Sequence, residues 1–512
     1  MSQHSSGAST LAGKCTDTFK VLQSDKVGRY MVANKELEAG DEIVSEMPFV
    51  VGPKSFTYPL CLSCYTPWPL SDDKYLCSRC GWPVCSTECE NKPQHKDYEC
   101  QVFAQAKEKF NVQAALEEVN ENGVPQLECI TPLRLLLESE KNPERWNNEV
   151  KDMEAHNKIR CQKEHWKSDQ VNVVDYIRKQ LKLDRFSEEQ IHTACGILEI
   201  NSFEIRTVTG YSARALYPTV ALMNHSCISN TCHSIPPTDY RVRVRTTVRV
   251  PAGGELYRSY VHSLLPTMLR REHLREGKHF SCACPRCSDP TELGTHMSSL
   301  KCNKCDNGIV LSLDSLDPDS SWKCTHCEFT TTGTAVRKVF KIIQAEVDAV
   351  ETITHADGAD AIEARETVMR KYRSVLHPQH AFLSMLRHSL IQLYGHVNEY
   401  LLDDLPDVVL EHTIDMCRLL LRVLDVIEPG CSRIRGTALY ELHAPLLFIA
   451  KTQWNDEVIN EAGLKSKMTE AFNILKEAVA ILCLEPPDTV EGQMGLVAKE
   501  SLVQLEQSIN EL

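Results

Sequence analysis

From Ala335 to the end of the chain, apolar residues return every three or four positions, as in Val336, Phe340, Ile343, Val347 and Val350, or Leu383, Leu386, Leu390 and Leu393. That spacing puts each set on one face of a helix of 3.6 residues per turn. Pro378, Pro406, Pro429-Gly430 and Pro486-Pro487 fall between such blocks as breakers, so residues 335–512 are expected to form six or so antiparallel helices, without a clean repeat. His377 and His380, flanking Pro378, are expected to be loop and cap residues rather than ligands. The first part of the chain follows a shorter period. Val27-Gly28-Arg29-Tyr30-Met31-Val32-Ala33 and the run from Leu37 through Gly40 to Val44 read as short strands that turn at their glycines. Arg241, Arg243 and Arg245 alternate with Val242 and Val244, which predicts a strand with its valines inward. Residues 101–189 carry charged, periodic segments that predict helices, and 190–265 are expected to return to strand and turn.

At roughly 150 residues per folding unit, 512 residues suggest about three units. With 42% hydrophobic and 25% charged residues the chain has the composition of an ordinary globular protein. Its 56 basic and 70 acidic side chains give a net charge of -14, a sign that opposes general nucleic-acid binding or attachment to anionic membranes. Residues 1–18 are polar, lack an apolar signal core and are expected to be disordered. No later stretch approaches the length of a membrane span, so the expected location is intracellular, cytoplasmic and/or nuclear. A monomer is expected.

Twenty-three cysteines change this picture. Random placement would yield about one Cys-x2-Cys pair, whereas the chain holds five: Cys61/Cys64, Cys77/Cys80, Cys284/Cys287, Cys302/Cys305 and Cys324/Cys327. A knuckle of this spacing lets two thiolates meet one tetrahedral zinc, and reducing conditions inside cells disfavour the disulfide alternative. Within residues 61–100, Cys85, Cys89, His95 and Cys100 bring the ligand count to eight, enough for two ions. Cys282, Cys284 and Cys287 supply three ligands of another site, for which Cys227 is the candidate fourth. Cys302, Cys305, Cys324 and Cys327 fit a closed zinc ribbon around a hairpin, for which a structural role is expected. The other eight, Cys15, Cys129, Cys161, Cys195, Cys232, Cys417, Cys431 and Cys483, are expected to be small buried hydrophobes.

The segment Met223-Asn224-His225-Ser226-Cys227, followed by Gly254-Glu255-Leu256-Tyr257-Arg258-Ser259-Tyr260 and preceded by Asn201-Ser202-Phe203, is the sharpest motif in the chain. Together with the cysteines at 282–287 and the first cysteine cluster, it resembles the SMYD family of protein lysine methyltransferases, whose SET domain is interrupted by a MYND finger. The added ribbon and the wording Gly277-Lys278-His279-Phe280 look most like the arthropod-type SmydA branch. The resemblance implies an α+β, multidomain chain: a disordered segment 1–18, the first part of the SET domain at 19–60, the MYND finger at 61–100, a helical insertion at 101–189, the core SET domain at 190–265, a post-SET zinc segment at 266–290, a ribbon at 300–330 and a helical, tetratricopeptide-like lobe at 335–512.

The same resemblance implies S-adenosylmethionine as cofactor, zinc as metal, with four ions, and a protein substrate that offers a lysine, histone or otherwise, in chromatin or transcription regulation. Gly28, Arg29, His156, Asn201, Asn224, His225, Tyr260 and Phe280 would touch the cofactor, and Tyr260 would be the catalytic residue. In the interleaved MYND pattern, Cys61, Cys64, Cys85 and Cys89 would hold one zinc and Cys77, Cys80, His95 and Cys100 the other. The finger could also take proline-rich peptides, which makes a non-enzymatic adaptor or corepressor the alternative. Three positions depart from the family pattern: Tyr30 stands for a second glycine, Gly254-Glu255 for two acidic residues, and Lys278 for a second tyrosine. A lysine there would repel an incoming lysine unless its own charge is suppressed.

Overall fold

A computed structural model describes residues 14–68, 75–117, 123–353 and 358–512. The early strands form as their alternation predicts: β1 (Phe19–Ser24) and β2 (Gly28–Ala33) make a hairpin, followed by β3 (Glu42–Glu46) and β4 (Val50–Gly52). Of the amino-terminal segment expected to be disordered, residues 1–13 lie outside the described residues. Residues 14–18 are built into the fold, because Cys15 bridges Lys20 and the Thr16 amide donates to the Phe19 carbonyl.

Helices fill the insertion, and the last of them, Glu188–Asn201, continues past the point where strand was expected. Ser187 starts it with a capping box in which its side chain and that of Gln190 satisfy each other's backbone amides. The chain then resumes sheet: β5 (Ser202–Arg206), β6 (Ser212–Leu216), β7 (Asn224–His225), β8 (Thr231–Ser234), β9 (Val242–Thr246) and β10 (Tyr257–Arg258). Three small sheets result, ordered β4-β6-β5, β3-β9-β8 and β10-β7, the last pair parallel. Val242 and Val244 point inward from β9, as the alternation predicted. Most of the apolar residues here share one core with the cysteine-rich finger, where Trp82 stacks on Phe103 with centroids 4.0 Å apart.

The ribbon is a four-stranded meander, β11 (Leu300–Lys301), β12 (Ile309–Ser312), β13 (Ser321–Cys324) and β14 (Thr330–Thr332). Gly308 is required there, since a Cβ would lie 2.2 Å from the Cys324 sulfur. Seven α-helices follow among the described residues, from Gly333–Glu351 to Val490–Glu511, in line with the six or so that the breakers suggested. Val336, Phe340, Ile343 and Val347 line their buried face, and His380 caps the helix Ala381–Ile391 by accepting from the Phe382 amide. Pro445 sits inside the helix Arg433–Asn455 rather than ending one. The helical lobe grips the sheets directly: the Cys431 amide donates to Thr247 at 2.7 Å, and Ser234 donates to Glu485 at 2.5 Å. Gly430 permits this approach, with φ of +72° and no room for a Cβ, which would stand 2.0 Å from the Thr247 oxygen. Among the described residues no helix is long and apolar enough to cross a membrane.

Candidate functional site

Every proposed zinc ligand falls into one of four sets: Cys61, Cys64, Cys85 and Cys89; Cys77, Cys80, His95 and Cys100; Cys227, Cys282, Cys284 and Cys287; Cys302, Cys305, Cys324 and Cys327. Within each set the ligand atoms lie within 4.8 Å of one another. Individual sulfur pairs stand 3.6 Å (Cys64 to Cys85), 3.7 Å (Cys77 to Cys100), 3.5 Å (Cys227 to Cys287) and 3.7 Å (Cys305 to Cys324) apart. A tetrahedral ion with zinc–sulfur bonds of about 2.3 Å separates its sulfurs by about 3.8 Å. These distances fit zinc, and they exceed a disulfide bond of about 2.05 Å by far.

The surroundings of two sets fit the same purpose. His95, fully buried, has Nε2 at 3.5 Å from Cys80, while Nδ1 faces Glu99 at 2.8 Å. Glu99 also takes two bonds from the buried Arg134 guanidinium, at 2.7 and 2.6 Å, which fixes the carboxylate that orients the histidine. Around Cys227 the helix Thr267–Gly277 supplies Arg270, whose Nε points at the Cys227 sulfur at 3.4 Å. Arg270 and Arg286 both pair with Glu292 at 2.8 Å, all three fully buried. The two guanidinium groups hold the Glu292 carboxyl well below the ordinary range, at about 2, against the opposing effect of burial. Of the eight other cysteines, Cys129, Cys195 and Cys417 are buried as expected, whereas Cys15, Cys161 and Cys483 are exposed. Cys161 and Cys483 each stand at the C-cap of a helix, where little covers them.

The residues singled out for a cofactor also converge. Parallel pairing of β7 with β10 sets Asn224 beside Tyr257 and His225 beside Arg258. His225 then lies 5.2 Å from the Tyr260 ring and 5.8 Å from Phe280, and Phe280 meets Tyr260 edge-on at 6.3 Å. The loop 152–156 closes the other side: Arg29 donates to the Asp152 carbonyl at 2.9 Å, Asn201 donates to the Glu154 carbonyl at 3.0 Å, and the His156 ring meets His279 at 5.0 Å. Gly28 begins β2 with φ of +70°, and nothing stands within 4 Å of where its Cβ would be. His156 takes the left-handed conformation, with φ of +49°, an uncommon state for a residue with a side chain.

Hydrogen bonding divides the roles within this group. The Tyr260 hydroxyl donates to the Met223 carbonyl at 2.6 Å, so its lone pairs remain available to other donors. Burial pushes this phenol up from its ordinary pKa, which keeps it protonated. Both His225 nitrogens are used within the protein, Nδ1 by the Tyr260 amide at 3.0 Å and Nε2 by the Cys227 sulfur at 3.3 Å. That leaves the backbone of His225 as the part free to meet a ligand. Glu255, at one of the departures from the family pattern, accepts from Asn224 Nδ2 at 2.8 Å and from the Tyr257 hydroxyl at 2.7 Å. Lys278 points inward and donates to the Ile200 carbonyl at 2.5 Å. Burial, reinforced by Arg258, lowers its pKa to about 8, a partial suppression of the charge that made this position a concern. Arg258 carried no sequence signal beyond standing two places before Tyr260, yet its side chain faces the same space.

A SET-domain family model matches residues 28–261. The chain is 32% identical over 323 residues to the SET domain-containing protein SmydA-8, isoform B, of Drosophila melanogaster, covering 61% of this chain and 67% of that protein. Isoform A is 30% identical over 318 residues, covering 60% and 65%. The N-lysine methyltransferase SMYD2 of Homo sapiens is 26% identical over 264 residues, covering 47% of this chain and 56% of that protein. The chain thus spans about two thirds of the fly relatives and about half of the human one.

Proposed function

This chain belongs to the SMYD family of SET-domain proteins, in its arthropod SmydA branch, and from that premise we propose that it transfers a methyl group from S-adenosylmethionine to a lysine of a protein substrate. The observation that carries the reading is the Tyr260 hydroxyl, anchored on the Met223 carbonyl beside His225 and Phe280. S-adenosylmethionine, when bound, supplies a methyl on a sulfonium that an amine can attack in line. Asn201, Asn224, Gly28, Arg29 and the His225 backbone would hold its polar parts, Phe280 would cover its base, and His156 would close the edge.

Tyr260 does the positioning. Its proton is committed to Met223, so its oxygen presents lone pairs to a polarised methyl or to the incoming amine. The amine must lose its proton before attack, and a buried pocket with cationic neighbours favours the neutral form. Zinc at Cys227, Cys282, Cys284 and Cys287 would hold the 278–287 segment against the Asn224–Cys227 loop and exclude water from between them. Calorimetry of S-adenosylmethionine with the zinc-loaded chain tests the reading, with micromolar binding expected; absence of binding would remove the enzyme from consideration.

A second reading, an adaptor whose MYND finger takes proline-rich peptides while the SET fold is scaffold, is favoured by Lys278, an amine where the family has a phenol. Cys77→Ala would then abolish peptide capture and leave cofactor affinity intact, and capture that persists would count against it.

A further inference from the structure

Arg258 occupies the space beside Tyr260 in an unusual way. Its Cζ lies 4.0 Å from the centroid of the Phe203 ring and 4.7 Å from that of Tyr260. Nε and Nη1 are both shut off from solvent, and neither finds a hydrogen-bond partner among the described residues. A buried guanidinium is ordinarily held by a carboxylate with its donors satisfied. Here the π faces of two rings hold it instead, which is how an aromatic cage holds a cationic ligand. Lys278, whose amine is bonded to Ile200, adds a second cation that repels the first.

We propose that Arg258 sits where a substrate lysine's head would have to lie, so that the chain's own guanidinium fills the acceptor cage formed by Phe203 and Tyr260 and decides which acceptors enter. The inference rests on the reading of Tyr260 as the residue at the point of methyl transfer. On this proposal an amine reaches the Tyr260 hydroxyl by passing between the same two rings that hold Arg258, and two cations are not accommodated there. Methylation then requires Arg258 to leave the cage. Arg258 is thus a specificity-determining residue, and its removal opens the site to lysine.

Saturation-transfer NMR on the zinc-loaded full chain, with S-adenosylhomocysteine present and n-butylammonium as the probe for a lysine side chain, tests this. Arg258→Met is expected to bind the probe on the order of tenfold more tightly than the wild type, and Arg258→Lys, which keeps a cation, to behave like the wild type. Equal binding by the wild type and Arg258→Met overturns the proposal, as does a folded Arg258→Met that takes S-adenosylhomocysteine but not the probe. If no variant folds, or if the wild type does not take S-adenosylhomocysteine, which would be a failure of the proposed function and not of this inference, the wild-type Arg258 Nε proton decides. A ring-shifted, slowly exchanging resonance supports the filled cage, and a random-coil shift overturns it.

Discussion

His225 joins the proposed catalytic tyrosine to the third zinc set: the Tyr260 amide donates to its Nδ1 at 3.0 Å, and its Nε2 lies 3.3 Å from the Cys227 sulfur. Because Nδ1 accepts, the ring proton resides on Nε2 and is directed at a sulfur that would ligate metal. One imidazole therefore holds the backbone of Tyr260 on one side and meets the Cys227 sulfur on the other.

His225→Ala is expected to loosen both. A residue behind the ligands typically contributes about 10–100-fold to metal affinity, so chelator competition should strip zinc from the Cys227, Cys282, Cys284 and Cys287 set of the variant at correspondingly lower chelator concentration than from the wild type. Unchanged zinc release would show that the bond to Cys227 has no bearing on the metal.

Tyr260→Phe removes an oxygen without changing the ring. Loss of one preorganised oxygen at the reacting centre should lower methyl transfer by about 10²–10³-fold, with S-adenosylmethionine affinity, read by calorimetry, altered only slightly. Equal losses in both would place the hydroxyl in binding rather than in transfer.

Glu292→Gln leaves Arg270 and Arg286 buried without their counter-charge. Breaking one partner of such a pair costs about 3–5 kcal/mol, and urea unfolding of the zinc-loaded protein should show a loss of that size. Lys341→Gln, which breaks an exposed bridge to Glu272 at 3.1 Å, should cost less than about 1 kcal/mol. Glu292 titrates lower in the folded chain than its ordinary value, so its contribution is complete above the usual carboxylate range and fades as the pH falls towards about 2.

Folding favours the neutral form of Lys278. Its folded pKa, about 8, lies below the ordinary 10.5, so between these values the unfolded chain binds the extra proton and stability rises with pH. The wild type should gain stability relative to Lys278→Met as the pH is raised through this window, with a constant difference below it. A difference that stays flat throughout would show that the amine reaches solvent in the folded chain.

Much of this was legible in local sequence, because metal knuckles, capping boxes and helical faces are set by residues a few places apart. The Cys-x2-Cys knuckles, the ribbon around β12 and β13, and the buried stripe from Val336 to Val347 all follow from short spacings, whereas the interleaved pairing of Cys61/Cys64 with Cys85/Cys89 was readable through resemblance. The joining of Cys227 to cysteines 55 or more residues away was readable through resemblance, as was the convergence of Asn201, Asn224, Tyr260 and Phe280. Other features depend on what the fold brings alongside, and no spacing encodes that. The helix Glu188–Asn201 outlasts its expected end because Ile191, Ala194 and Ile197 find a core to enter, and the exposure of Cys161 and Cys483 follows from which surfaces remain uncovered. Only the tertiary structure spends both nitrogens of His225 inside the protein, and only it turns Arg258 onto Phe203, 55 positions earlier in the chain. Sequence determined the ligands and the elements, since their chemistry is local; tertiary packing decided the charge and occupancy of the space beside Tyr260, since those depend on side chains that meet only once the chain has closed.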